Sequence, residues 1–140
     1  MATPLITKAF YDQMANDSIL TGMIGSLRGR PCIFTDGPIP GDAPMPLIVS
    51  IGEISHEPFD TKTDLGREIR RDIACYAKAT GSAVTIEAIA ERIRFLFHRV
   101  ALSIPNLSTI LCVTTGPIVA PTDETVVGRI LTVRYVGQEV

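Results

Sequence analysis

Apolar positions change period several times along the chain, and each change marks an element. Leu5, Ile6, Ala9, Phe10 and Met14 recur at helical spacing, and Thr3 before Pro4 supplies a cap and a first-turn proline, so a first helix is predicted to about Ala15. "NDS" then offers capping side chains to a second short helical piece with Ile19, Leu20, Met23, Ile24 and Leu27 apolar, which Gly22, Gly25 and Gly29 keep short. From Arg30 to Pro46 prolines and glycines surround the small apolar island "CIF", which predicts a short extended segment and a stiff loop.

Branched residues make "LIVSI", residues 47 to 51, a strand, and a second strand runs from Glu68 to Tyr76; "GEISHEPFDTKTDLG" joins them as a long polar connection. Ile86, Ile89, Ala90, Ile93, Leu96, Phe97 and Val100 then fall at helical spacing, with Glu87, Glu91, Arg92, Arg94 and Arg99 on the rest of the surface. Ser82 or Thr85 can cap this helix, and its acidic start and basic end complement the helix dipole. "STILCVTTG" and "VVGRILTVRYVG" close the chain as two strands; in the second, Leu131, Val133 and Tyr135 alternate with Thr132 and Arg134.

The order helix, helix, strand, strand, long helix, strand, strand predicts an α+β fold. Its antiparallel four-stranded sheet is covered on one face by a long helix and an N-terminal helical segment, all in one domain spanning 1–140. A single helical layer leaves the other sheet face open, and Arg70, Asp72, Thr132 and Arg134 collect there. The strand 68–76 is unusual: Glu68, Arg70 and Asp72 share one side, while Ile69, Ile73 and Cys75 share the other with Arg71. Arg71 is therefore expected near an exposed start of the strand.

Composition narrows the function classes. At 46% hydrophobic and 20% charged, with net charge -2, the chain can bury a core without a disulfide or metal and carries no global field toward nucleic acid or an anionic membrane. Cys32, Cys75 and Cys112 lack CxxC spacing and sit beside strand-like residues, as buried reduced thiols do. No secretory signal pattern opens the sequence, and the uncharged stretch 100–122 is broken by Pro105, Asn106, Pro117 and Pro121, so it reads as loop, strand, loop rather than as a membrane span. The protein is expected in the cytoplasm where it is made, with no membrane partner.

Candidate chemistry is sparse. His56 and His98 have no second histidine or cysteine at metal spacing, and Glu53, His56, Glu57, Asp60 and Asp64 lack the ordered spacing of a calcium loop. No serine lies in a GxSxG turn, and "GMIGSLRGR" lacks the GK[ST] end of a phosphate loop and reads as a glycine-punctuated helix end. An enzyme, a metal and a cofactor are not expected. Arg67, Arg70 and Arg71 are interleaved with Glu68 and Asp72 and lack the aromatic set of an RNA-binding sheet, so mixed charge favours a protein surface of mixed sign.

The segments "PLITKAFYDQMANDSILTGMIG", "CIFTDGPIPGDAPMPLIVSIG", "REIRRDIACYAKA", "VTIEAIAERIRFLF" and "GRILTVRYVG", in this order, resemble the tail terminator, or tail completion, family of long-tailed bacteriophages, similar in architecture to the lambda tail terminator. The resemblance implies a structural virion protein. It would form a homohexameric ring at the head-proximal end of the tail, end polymerisation of the tail tube protein and offer a surface to the head-completion connector, while DNA passes through the pore without sequence-specific binding. A head-to-tail connector ring is the nearest alternative, and a small ferredoxin-like α+β enzyme or ligand-binding domain a more distant one. The subunit or tube interface is expected to include Arg67, Arg70, Arg71 and Asp72, with Glu53, Glu57 and Asp60 as opposites.

Overall fold

The computed structural model describes residues 2–50, 55–58, 66–120 and 124–139. Its elements are helix α1 (Ala2–Ala15), helix α2 (Ser18–Thr21), and strands β1 (Ser26–Leu27), β2 (Arg30–Pro31), β3 (Ile33–Phe34), β4 (Leu47–Val49), β5 (Ser55–Pro58) and β6 (Gly66–Lys78). Helix α3 (Val84–Phe97) and strands β7 (Leu107–Val119) and β8 (Val126–Glu139) complete the chain.

Three long strands form the frame. β6 pairs antiparallel with β8 from Gly66↔Gln138 to Lys78↔Val126, and β8 pairs antiparallel with β7. The far side of β6 is shared: β4 lies against Ala74–Tyr76 and β5 against Arg67–Arg70. β3 extends the sheet beyond β4 in parallel, with Ile33 opposite Ile48.

The α+β class therefore holds, but the sheet is mixed and six-stranded rather than four-stranded and antiparallel. The proline-rich loop carries the chain back to start β4 beside β3, so the two run the same way. The connection is tied by Ile48 N donating to Cys32 O at 2.8 Å and Ser50 N to Phe34 O at 2.8 Å.

The second helical piece is also shorter than its apolar spacing predicts. Asp17 caps α2 by accepting from Leu20 N at 2.9 Å, but the chain turns at Gly22 and enters β1. At α3 the cap residue is Ala83, and Ser82 Oγ accepts from Val84 N at 3.3 Å.

The core lies between the sheet and the helices. Ile69, Ile73 and Cys75 of β6 and Leu131, Val133 and Tyr135 of β8 are buried with Ile86, Ile89, Ile93 and Phe97 of α3. From α1, Ile6, Phe10 and Met14 close the same core, and the Phe10 and Phe97 rings stack with centroids 5.0 Å apart. Such side chains contribute roughly 1.5–3 kcal/mol each on full burial, and this one-sided burial holds the helices to a single face. Tyr135 also lies across Gly137, where an added Cβ would come within 2.7 Å of the ring, so a glycine lets the aromatic lie flat along its own strand.

A candidate assembly surface

The open face of β6 and β8 carries the charges that the alternation places there. Glu68 sits between two arginines: Arg134 Nε donates to its Oε1 at 2.7 Å, and Arg70 Nη2 lies 3.8 Å away. The hydrogen bond from Arg134 holds the Glu68 carboxyl below the ordinary carboxylate range and raises the Arg134 guanidinium in turn. One step along, Thr132 Oγ1 donates to Asp72 Oδ1 at 2.6 Å. The register explains these pairs, since Asp72 lies directly opposite Thr132 and Arg70 opposite Arg134.

Of the predicted interface residues, Arg70 is exposed, with 52% of its side chain open, and Arg67 is half-buried with Nε donating to Glu139 Oε1 at 2.9 Å. Glu57 is exposed on β5 directly across from Glu68. Glu53 and Asp60 lie outside the described residues. So do Asp64 and most of the long polar connection.

Arg71 differs from its expected position. It is 1% exposed, its Nη2 donates to Thr7 Oγ1 at 2.9 Å, and its guanidinium lies 5.1 Å from the Phe10 ring centre. The strand period places Arg71 inward with Ile69 and Ile73, and α1 covers it there. It is a link between α1 and the sheet, and the folded subunit does not offer it as a surface contact.

Sequence reasoning missed two features. Arg92 of α3 grips Asp17 with a two-point fork, Nε to Oδ2 at 2.8 Å and Nη2 to Oδ1 at 2.6 Å, which ties the long helix to the cap of α2. That fork holds the Asp17 carboxyl below its usual range. The second is the β1–β2 hairpin: Leu27 pairs with Arg30, and the two central residues have φ of 53° at Arg28 and 79° at Gly29, as a tight type I′ turn requires. It presents Arg28 and Arg30, both exposed, beside a cleft of about 540 Å³ next to β3. A glycine after the turn arginine was the sequence signal for it.

No group of three or more His, Cys, Asp or Glu side chains gathers into a metal site among the described residues, and no described helix is long and apolar enough to cross a membrane. The cysteines are buried, and burial pushes the Cys75 and Cys112 thiols up to about 11, so neither is a ready nucleophile near neutral pH. What the described part of the open sheet face carries is a set of paired charges and hydrogen bonds across β6 and β8.

No protein-family model matches the chain, and no curated protein matches it. Among solved structures, it is similar to a chain of the "Virion of native gene transfer agent (GTA) particle", with a TM-score of 0.81 and 15% sequence identity over 98% of this chain and 97% of that one. At that identity the likeness is one of fold, shared over nearly the whole of both chains.

Proposed function

We propose that this protein is a structural component of a phage or phage-like particle and acts there as a tail terminator. The observation that carries the reading is the end-to-end fold likeness to a chain of a gene transfer agent virion, in which neither chain has a large part left over. The order of sequence segments supports the finer role. In this reading copies close into a ring, six in number, at the head-proximal end of the tail tube. The ring stops tube growth, gives the connector a surface to dock on and leaves a pore for DNA. It works by binding, with no catalytic step, cofactor or metal.

Deletion of the gene from the element that encodes it tests the role by electron microscopy of the particles produced. A terminator predicts tails of uncontrolled length and heads without tails, with both defects reversed by the gene in trans. Tails of normal length accumulating beside filled, unjoined heads identify a connector instead. Normal particles in the deletion strain overturn both.

A further inference from the structure

The open sheet face is polar where Asp72, Thr132 and Thr115 stand side by side, but the next row is not. There the register sets Phe34 beside Val49, Val49 beside Ala74, Ala74 beside Ile130 and Ile130 beside Ile118. Each strand of the order β3-β4-β6-β8-β7 thus contributes one apolar residue to a row that crosses the sheet. The chain neighbours Ile33, Ile48, Cys75 and Leu131 are in the core, which puts the row on the opposite face. Ile118 is 63% exposed and the other four are partly exposed, at positions where a solvated sheet face carries polar residues. The middle of the row is shallow: Ala74 is its smallest side chain, and beside it Tyr76 lies over Gly128, where an added Cβ would come within 2.7 Å of the ring.

A second exposed apolar surface lies on the far side of the helical layer. Val84, Ala88, Glu91 and Phe95 fall at i, i+4, i+7 and i+11 on α3, all exposed and opposite the buried Ile86, Ile89 and Ile93. Phe95 is 65% exposed, yet it is held in place. The Arg92 guanidinium lies 4.6 Å from its ring centre and is itself fixed by the fork to Asp17. An exposed aromatic ordered in this way loses little freedom when a partner covers it.

The exposed charges of the two surfaces are opposite. On the open face of β6 the exposed side chains are Arg70 and Lys78, on either side of Ala74 and Tyr76. Glu68 beside Arg70 is already held by Arg134, and Glu124 lies at the Lys78 end of the sheet. On α3 the exposed charges are Glu87 and Glu91, while Arg92 and Arg94 are half-buried. Glu87 lies 3.7 Å from Arg129, and Glu91 forms no ion pair among the described residues.

From these two surfaces we infer that the outer side of α3 in one subunit packs on the open sheet face of a second copy of this chain. Phe95 seats on the floor that Ala74 leaves between Val49 and Ile130. A copy is the occupant because one layered subunit carries both surfaces, on opposite sides and with complementary exposed charge. Copies in the same orientation cover helix with sheet at every contact, which is the head-to-tail arrangement that a ring requires. The inference rests on the ring reading above and names its contact.

Thiol cross-linking of the full chain tests it, since the natural cysteines are all buried. A chain carrying both Ala74→Cys and Ala88→Cys, treated with a short bismaleimide at low salt, gives a ladder beyond the dimer on denaturing electrophoresis. Neither single variant gives a cross-linked product. Adding Phe95→Asp lowers the ladder yield at least about tenfold. Ile118→Cys, at a more exposed site of the same row, serves as a second reporter in place of Ala74→Cys, and circular dichroism checks that every variant is folded. A dimer from Ala74→Cys alone means that two open faces meet, and a dimer from Ala88→Cys alone that two helices meet; either overturns the contact. So does a ladder that Phe95→Asp leaves unchanged, or the absence of any product with both reporters. The deletion phenotype is read separately, so a failed contact leaves the particle role standing or falling by its own test.

Discussion

Arg71 lies with its guanidinium 5.1 Å from the centre of the Phe10 ring, so a cation from the middle of a sheet strand is held inside the subunit by the first helix. A desolvated cation over an aromatic face is stabilised by the ring quadrupole, and Thr7 Oγ1 accepts one of its hydrogens at 2.9 Å. Neighbouring Arg70 has the same charge and the opposite orientation.

The two arginines should therefore separate in a charge-reversal experiment. Arg71→Glu places a carboxylate against the Phe10 ring and is expected to lower unfolding free energy by more than about 3 kcal/mol, whereas Arg70→Glu changes it by about 0.5 kcal/mol or less. Urea denaturation of the two variants checks this. Equal, small losses would mean that Arg71 reaches solvent in the working protein.

The fork between Arg92 and Asp17 has a pH signature. The folded Asp17 carboxyl is held below its unfolded value, chiefly by the Arg92 hydrogen bond. Its contribution is therefore complete above the unfolded value of about 3.9 and is lost as pH falls through the folded one. Asp17→Asn should flatten the acid limb of a stability profile below about pH 4 and leave its shape above pH 5 unchanged. Asp17→Ala removes the α2 cap as well, a further loss of about 1 kcal/mol at neutral pH. Thermal melts across this range read both effects.

The thiols carry the opposite sign. Cys75 and Cys112 have folded values raised to about 11 by burial, so the protons they retain stabilise the fold fully below the unfolded value, about 8.5, and that stability fades as pH rises toward 11. A disulfide reagent at pH 8 should react with none of the three cysteines at a measurable rate until urea unfolds the chain. Rapid labelling of the native protein would show that one of them opens to solvent without global unfolding.

Much of this was legible in the sequence because it depends on local period. The buried face of α3, the inward trio Ile69, Ile73 and Cys75, and the outward Glu68, Arg70 and Asp72 all follow from spacing alone. Arg71 shows where period and charge disagree: the alternation put it inward, the cost of burying a cation argued for an exposed start, and packing of α1 decided the matter. The parallel pairing of β3 with β4 was out of reach because two-residue and three-residue strands leave no period to read. The Asp17–Arg92 fork joins residues 75 positions apart, and the β1–β2 turn uses arginine where asparagine or aspartate would have announced a tight turn.

The edge of the sheet offers a last test. β7 is the terminal strand of the order and carries no charged residue from Leu107 to Val119, a composition that invites pairing with another chain. The chain leaving α3 covers part of that edge: Arg99 N donates to Cys112 O at 2.7 Å, Thr114 N donates to His98 Nδ1 at 3.1 Å, and Thr109 Oγ1 donates to Leu102 O at 3.1 Å. Arg99 makes its bond from a left-handed backbone, with φ of 58°. Glycine adopts that conformation without strain, so Arg99→Gly should be neutral or stabilising by up to about 1 kcal/mol. Proline removes the donor and fixes φ near -65°, so Arg99→Pro should release the segment and expose the uncharged edge. The expected readout is faster thioflavin-positive aggregation of Arg99→Pro at temperatures where circular dichroism still shows folded protein, with Arg99→Gly behaving as the natural chain. If the proline variant stays folded and dispersed as long as the glycine one, the segment after α3 does not guard the edge, and the bulges between Thr109 and Leu111 and between Thr115 and Ile118 suffice to protect it.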